Sequence, residues 1–162
     1  MLRGISKLVI ATFVFSCGGL GCSCSQPDVK AAMKAAHSVF IGQVVRIKWI
    51  DHYGDPLFGE RRTIVTFRVS GVYKGHVGST IVLHTQENRS SCAGFNFLEG
   101  HEYIVYSYSY EPNKWTTDKW RSPSVLEKPQ KRFLGTSICS RTNEIINAGQ
   151  DLKELGQPRP PL

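Results

Sequence analysis

The chain has 162 residues, of which 41% are hydrophobic and 20% are charged. These proportions are ordinary for a globular protein, and the length suits one domain. Lysine and arginine exceed aspartate and glutamate by seven, a moderate surplus without the concentrated positive charge of a dedicated nucleic-acid-binding protein.

The N-terminal residues are typical of an export signal. A positive start with Arg3 and Lys7 is followed by an apolar core, residues 8–15, and then by small residues before Cys22. The apolar core is too short for a membrane-spanning helix, which needs about 20 residues. The sequence therefore predicts a cleaved signal peptide over 1–21, a mature chain that begins at Cys22, and a secreted or periplasmic protein.

A second processing route is open at Cys17. The run Val14-Phe15-Ser16-Cys17 is a loose version of the bacterial lipobox, in which the cysteine is acylated and becomes the first residue. Phe15 fits poorly, because that position normally holds a smaller residue. Membrane attachment is expected only by this route, and cleavage before Cys22 is the preferred interpretation.

The cysteines support export. Cleavage before Cys22 leaves Cys22, Cys24, Cys92 and Cys139, an even number that suits an oxidising compartment. Cys22 and Cys24 are too close to bridge each other comfortably, so each is expected to reach Cys92 or Cys139. The spacing of the cysteines does not choose between these pairings. The four cysteines lack the two-plus-two spacing of a structural zinc site.

A short helix is predicted over residues 26–37, and β-rich runs follow it along the chain. The runs are 39–50, 62–73, 80–85 and 102–110. Gly42 inside the first run indicates a bend or bulge. The fourth run is apolar or aromatic on both faces, which predicts a well-buried strand.

The C-terminal part is less regular. A fifth strand is expected over 136–140, followed by a helix over 143–155 that Thr142 caps. The proline-rich end, 157–162, is expected to be disordered. Five strands with flanking helices predict a mainly β fold, a small closed barrel, with the domain covering residues 22–156.

Nothing in the sequence indicates an enzyme. The five histidines show neither HExxH nor paired metal spacing, and no serine lies in a nucleophile elbow. We therefore expect no catalytic residue and no cofactor. The stretch 114–132 interleaves basic and aromatic residues, as polyanion-binding proteins do, but export argues against a nucleic-acid partner, and a solvated loop is the preferred interpretation.

Several short motifs follow the export signal in a particular order. They are Cys22-Ser23-Cys24-Ser25, Val72-Tyr73-Lys74-Gly75, Ser91-Cys92-Ala93-Gly94, Glu102-Tyr103-Ile104-Val105-Tyr106 and Thr136-Ser137-Ile138-Cys139-Ser140-Arg141-Thr142. Their order and spacing resemble the tissue inhibitors of metalloproteinases, within the netrin-like class. The resemblance covers nearly all of the mature chain up to the last helix, and the sequence resembles the short, single-domain, bacterial-type homologues of that family.

The resemblance implies a five-stranded barrel of the oligonucleotide/oligosaccharide-binding (OB) type. It further implies disulfides between Cys22 and Cys92 and between Cys24 and Cys139. It also implies a monomer that inhibits a zinc metalloprotease by stoichiometric binding.

The inhibitory chemistry implied by the resemblance depends on a free N-terminus. The α-amino group and the carbonyl oxygen of Cys22 would chelate the protease's catalytic zinc in place of its water. Ser23 would enter the specificity pocket, and Cys24, Ser25 and Ser91 would complete the protease-binding ridge. The alternative is a non-inhibitory netrin-like binding module of the cell envelope, lipid-anchored at Cys17, because a fold does not settle a function.

Overall fold

Six strands and two α-helices are present in the residues that the computed structural model describes, which are 24–51, 61–86, 94–110 and 132–162. The strands are β1 (Ser38–Asp51), β2 (Arg61–Lys74), β3 (Thr80–Gln86), β4 (Glu102–Tyr110), β5 (Phe133–Gly135) and β6 (Asn143–Glu144). The helices are α1 (Val29–Ala35) and α2 (Gly149–Leu155).

Five of these strands form a closed barrel. Around the barrel the order is β1-β2-β3-β5-β4, and β4 returns to pair with β1. The β3–β5 pair is parallel, whereas the other neighbours are antiparallel. The short β6 pairs with β4. The predicted fold class, a closed five-stranded OB-type barrel with flanking helices, is therefore confirmed.

Closure depends on bends in β1. One shift in the register between β1 and β2 falls between Ile41 and Gly42, and such a bulge bends a strand and increases its twist. The first half of β1 can therefore pair with β4 as well as with β2. A Cβ on Gly42 would lie 3.1 Å from the carbonyl oxygen of Arg68 and 3.3 Å from the Cβ of Phe67. The predicted bend at Gly42 is confirmed.

The barrel interior is a continuous apolar core. Its buried members are Phe40, Val44, Val65, Phe67, Val69, Val72, Val77, Leu83, Phe97, Tyr103 and Val105. The ring of Phe67 lies 5.6 Å from the ring of Phe40 and 5.1 Å from that of Phe97 between centroids, nearly perpendicular to both. Edge-to-face pairs of this kind add to the stabilisation from burial.

A second core lies between the barrel and the helices. Alternation along β4 directs Tyr103 and Val105 into the barrel, whereas Ile104 and Tyr106 pack in the second core against alanines of the helical segments. All four side chains are at most 1% exposed. The prediction that β4 is well buried is confirmed.

The first helix forms largely where it was predicted, but it is shorter. It begins after Asp28, whose carboxylate accepts a hydrogen bond from the backbone N–H of Ala31 at 2.7 Å, and it ends at Ala35. This is an ordinary N-cap, which satisfies one of the free N–H groups of the first turn.

Two predictions for the C-terminal part are wrong. The fifth strand is Phe133–Gly135, not 136–140, because the ring of Phe133 stacks on Tyr110 of β4 while the segment after Gly135 turns away. The helix over 143–155 is interrupted, because Asn143–Glu144 pair with β4 as β6, a 3-10 helix follows, and α2 begins only at Gly149. Thr142 therefore caps no helix.

The physical reason for the interrupted helix is that a tertiary pairing competes with a local pattern. Ile145 and Ile146 occur at helical spacing with later apolar residues, but Ile146 is 82% exposed. The pairing of Glu144 with Tyr103 directs this segment along the barrel before any α-helix begins. Propensity is a weak prior that such contacts override.

The C-terminal segment, residues 157–162, is ordered, so the prediction of disorder is wrong. Arg159 and Val72 exchange two backbone hydrogen bonds of 2.8 and 3.0 Å, and the N–H of Leu162 donates to Val77 at 3.0 Å. The side chain of Pro158 packs over Gly71, where a Cβ would lie 2.8 Å from the proline ring. The segment satisfies backbone groups of β2 beyond the end of its pairing with β3.

Deleting residues 157–162 is expected to lower the free energy of unfolding by about 1.5–4 kcal/mol, because three backbone hydrogen bonds are lost at about 0.5–1.5 kcal/mol each. Urea unfolding of the truncated and full-length proteins measures the difference. The control is Arg159→Lys with all backbone bonds retained. An unchanged midpoint after the deletion would contradict the docking of this segment.

Candidate functional site

A disulfide anchors the start of the described chain. Cys24 and Cys139 are bonded, with their Cα atoms 5.2 Å apart and a sequence separation of 115. Cys139 lies in the turn after β5, so the disulfide joins the residues before α1 to the turn that follows the last strand of the barrel. The predicted pairing of Cys24 with Cys139 is confirmed, whereas the predicted Cys22–Cys92 pair lies outside the described residues.

The segment from Cys24 to Asp28, here called the N-terminal segment, lies on the protein surface. Ser25 and Gln26 are exposed, whereas Cys24 and Pro27 are half-buried. At its end Asp28 caps α1. The segment is therefore fixed at both ends, by a covalent bond and by a helix, while its middle is open to solvent.

Arg141 binds the backbone of the N-terminal segment. Its Nη1 donates to the carbonyl oxygen of Pro27 at 3.0 Å. Its Nε and Nη2 donate to the two carboxylate oxygens of Asp151 at 2.8 and 3.1 Å, and Nη2 also donates to Gln150 at 3.1 Å. A bidentate pair of this kind adds geometric precision to its electrostatic energy. Arg141 thereby links the N-terminal segment to α2.

The Arg141–Asp151 pair is supported from the second core. Asp151 is 5% exposed, and the hydroxyl of Tyr106 donates to its Oδ1 at 2.6 Å. Burial, and then the hydrogen bond to Asp151, raise the pKa of Tyr106 far above its usual value. The hydrogen bonds that Arg141 donates to Asp151 likewise raise the pKa of Arg141. The hydroxyl therefore stays protonated and the guanidinium stays charged.

Buried hydroxyl groups hold the turn that carries Cys139. The Oγ1 of Thr136 lies 2.7 Å from the Oγ of Ser140 and 2.8 Å from the Oγ1 of Thr142. Thr136 also donates to the carbonyl oxygen of Tyr106, whose N–H donates to Thr142. These bonds attach the turn to β4 and thereby fix the position of Cys139.

A third segment reaches the same region through Thr85. The Oγ1 of Thr85, at the end of β3, accepts from the N–H of Phe95 at 2.9 Å and donates to the carbonyl oxygen of Thr136 at 3.2 Å. Phe95 lies shortly after Ser91 and Cys92, which are outside the described residues. Thr85 therefore joins Phe95 to Thr136, three residues before Cys139.

Only some of the predicted site residues are among the described residues. Cys24 is half-buried and forms the disulfide, and its neighbour Ser25 is exposed. Cys22, Ser23 and Ser91 lie outside the described residues, as do nearly all of the basic and aromatic residues predicted over 114–132, from which only Arg132 is described.

Sequence reasoning missed the residues that hold the site. Arg141, Asp151 and Tyr106 form one network across three elements, but none of the three was predicted to interact with another. The available signal was weak: Asp151 is an acidic residue beside the apolar positions of the last helix. Only the fold shows that this position is buried.

Neither a metal centre nor a membrane span is found in the described part of the chain. Its His, Cys, Asp and Glu side chains form no group of three that could hold a metal ion. None of its helices has the length and apolar character needed to cross a bilayer. A scan against protein-family models finds no match, and a search of curated proteins finds none either.

Proposed function

We propose that this protein is a secreted inhibitor of zinc metalloendopeptidases that binds its target through the chain end at Cys22. The observation that carries the proposal is the double attachment of the N-terminal segment. The Cys24–Cys139 disulfide and the bond from Arg141 to Pro27 hold an exposed, polar stretch on a closed barrel.

The double attachment favours binding in an extended, ordered form. A flexible chain end loses side-chain and backbone freedom when it enters a protease cleft, at about 0.5–1.5 kcal/mol per immobilised side chain. A segment already held in the free protein loses less. Its exposed middle, Ser25 and Gln26, is available to a partner, while its attachment points are not.

The chemistry follows from the position of Cys22 two residues before the disulfide. A catalytic zinc in a protease has three protein ligands and a fourth position occupied by water. An α-amino group has a pKa of about 7.7–8.0 in peptides, so it can lose its proton to a metal near neutral pH. The amine and carbonyl oxygen of Cys22 together would form a five-membered chelate and displace that water.

The neighbouring side chains would supply recognition. Ser23 would enter the pocket beside the zinc, and Ser25 with Ser91 would contact the cleft on either side. The hydrogen bonds of Thr85 support a place for Ser91 near this region, because they join Phe95, four residues after Ser91, to Thr136, three residues before Cys139.

The test compares two forms of the protein with a broad zinc endopeptidase. One begins at a verified Cys22, and the other carries one extra alanine in front. We expect the first to inhibit stoichiometrically and the second to lose inhibition, because the added residue converts the free amine into a peptide N–H that cannot bind the zinc. Matching far-UV spectra and disulfide content of the two forms serve as the control.

Two outcomes would contradict the proposal. Equal activity, or equal inactivity, of the two forms excludes chelation by the chain end. The second outcome is an acylated Cys17 at the N-terminus, which mass spectrometry of the exported protein would detect. It would place five residues before Cys22 and favour a lipid-anchored, non-inhibitory binding module.

A further inference from the structure

The outward face of β1, β2 and β3 is basic. Alternation along β2 buries Val65 and Phe67 in the barrel and leaves Thr66 and Arg68 facing outward. Thr66 pairs with Arg46 on β1 and with Val82 on β3, and Ile64 pairs with Lys48. We call this set of outward side chains the basic face: Arg46, Lys48, Ile64, Thr66, Arg68 and Val82.

The three cations of the basic face are close to one another. Arg46 and Lys48 are two residues apart on one strand, which separates them by about 7 Å. Arg68 is diagonal to Arg46 across the β1–β2 pair, at about 7–8 Å. All three side chains are exposed. Together they form a positive row that runs obliquely across the sheet.

The charge of this row is not neutralised by the described residues. The ion pairs within the described ranges are His101–Glu144 and Arg141–Asp151, neither of which lies on the basic face. The bordering carboxylates, Glu99 and Glu102, accept hydrogen bonds from the N–H of Ile47 and the hydroxyl of Ser70. The outward positions of the basic face itself carry no acidic residue.

We propose that the basic face binds an anionic polysaccharide, whose sulfate or carboxylate groups pair with Arg46, Lys48 and Arg68. A row of cations on an extended sheet matches charges that repeat along a polymer better than it matches one small anion. Val82, which is 45% exposed, adds apolar surface for the C–H face of a sugar ring.

The side chains favour a polysaccharide over a single-stranded nucleic acid. Proteins that bind single strands stack the bases on aromatic side chains. None of the six side chains of the basic face is aromatic, and Trp49, the exposed neighbour of Lys48, pairs with the buried Thr63 on the other face of the sheet. Its hydroxyl and aliphatic side chains, Thr66, Ile64 and Val82, suit hydrogen bonds and contacts with sugar rings instead. This inference does not depend on the proposed inhibition of proteases, since it concerns a different surface.

The test uses heparin as the probe and measures affinity by titration calorimetry between 0.05 and 0.3 M NaCl (about the range where screening changes most). We expect the triple variant Arg46→Gln/Lys48→Gln/Arg68→Gln to bind about tenfold or more weakly at the lowest salt. The slope of log affinity against log salt should fall by about two to three, one for each lost cation. Arg68→Gln alone should show a smaller loss in the same direction.

The matched control removes the same charge elsewhere. Lys30→Gln/Lys34→Gln/Lys153→Gln changes three exposed lysines of α1 and α2 and should leave heparin affinity within about twofold. Equal unfolding midpoints of the variants establish that the fold is intact.

Three results would overturn the proposal. The first is failure of the unaltered protein to bind heparin, and the second is an equal loss of heparin affinity in the two triple variants. The third is full heparin affinity in the triple variant of the basic face, which would assign binding to another region such as 114–132. Tighter binding of a single-stranded oligonucleotide than of heparin through the same three residues would reassign the surface to nucleic acid.

Discussion

Replacing Cys24 and Cys139 together by serine is expected to lower the free energy of unfolding by about 4–5 kcal/mol. The disulfide closes a loop of 115 residues, and the chain-entropy model assigns a large loss of unfolded-state entropy to such a loop. Domains of this size are stabilised by about 5–15 kcal/mol in total. The bridge therefore supplies a large share of the stability, which urea unfolding under non-reducing conditions measures.

The same variant tests whether the disulfide orders the N-terminal segment. Amide hydrogen exchange should become faster in residues 25–28 than in α1, because the segment loses its covalent attachment while the helix keeps its hydrogen bonds and its contacts in the second core. The control is Ser25→Ala, an exposed neighbour whose change in stability should stay within about 0.5 kcal/mol. Equal unfolding midpoints for the control and the double serine variant would show that the bridge does not stabilise the fold.

Replacing Arg141 by methionine is expected to cost about 3–5 kcal/mol, the range for removing one partner of a buried ion pair. The change would leave the carboxylate of Asp151, which is 5% exposed, without its guanidinium partner. It would also remove the bond to the carbonyl oxygen of Pro27. Arg68→Met, at an exposed position on β2, is the matched control, with an expected change within about 0.5 kcal/mol.

A double-mutant cycle separates the ion pair from general loss of packing. Adding Asp151→Asn to Arg141→Met removes the unpaired charge, so the double variant should be more stable than Arg141→Met alone. Tyr106 can still donate its hydroxyl to the asparagine oxygen. Additive losses from the two substitutions would show that Arg141 and Asp151 do not stabilise each other.

The long strands could be predicted from the sequence because their signal is local. Alternating apolar and polar residues, rich in β-branched and aromatic types, identify β1 to β3 within one or two residues at each end. Glu102–Tyr110 was predicted with its observed bounds, since apolar side chains on both faces require a strand buried on both sides.

The segment after residue 135 was harder to predict, for a physical reason. Its apolar residues follow a helical spacing, but Asn143–Glu144 gain backbone bonds to β4, and Arg159 gains bonds to Val72. A proline-rich end without periodicity has no local preference for order. It is ordered here because β2 extends past β3 and offers unpaired backbone groups.

By itself, the sequence determined the four long strands and the bend at Gly42, because both depend on neighbouring residues. Only the tertiary structure decided that Cys24 pairs with Cys139, where spacing had left two partners open. It also decided that Arg141 joins Pro27 to a buried Asp151. These contacts join elements that are far apart in sequence, and their geometry exists only after the barrel has closed and brought residues 24–28 next to residues 139–151.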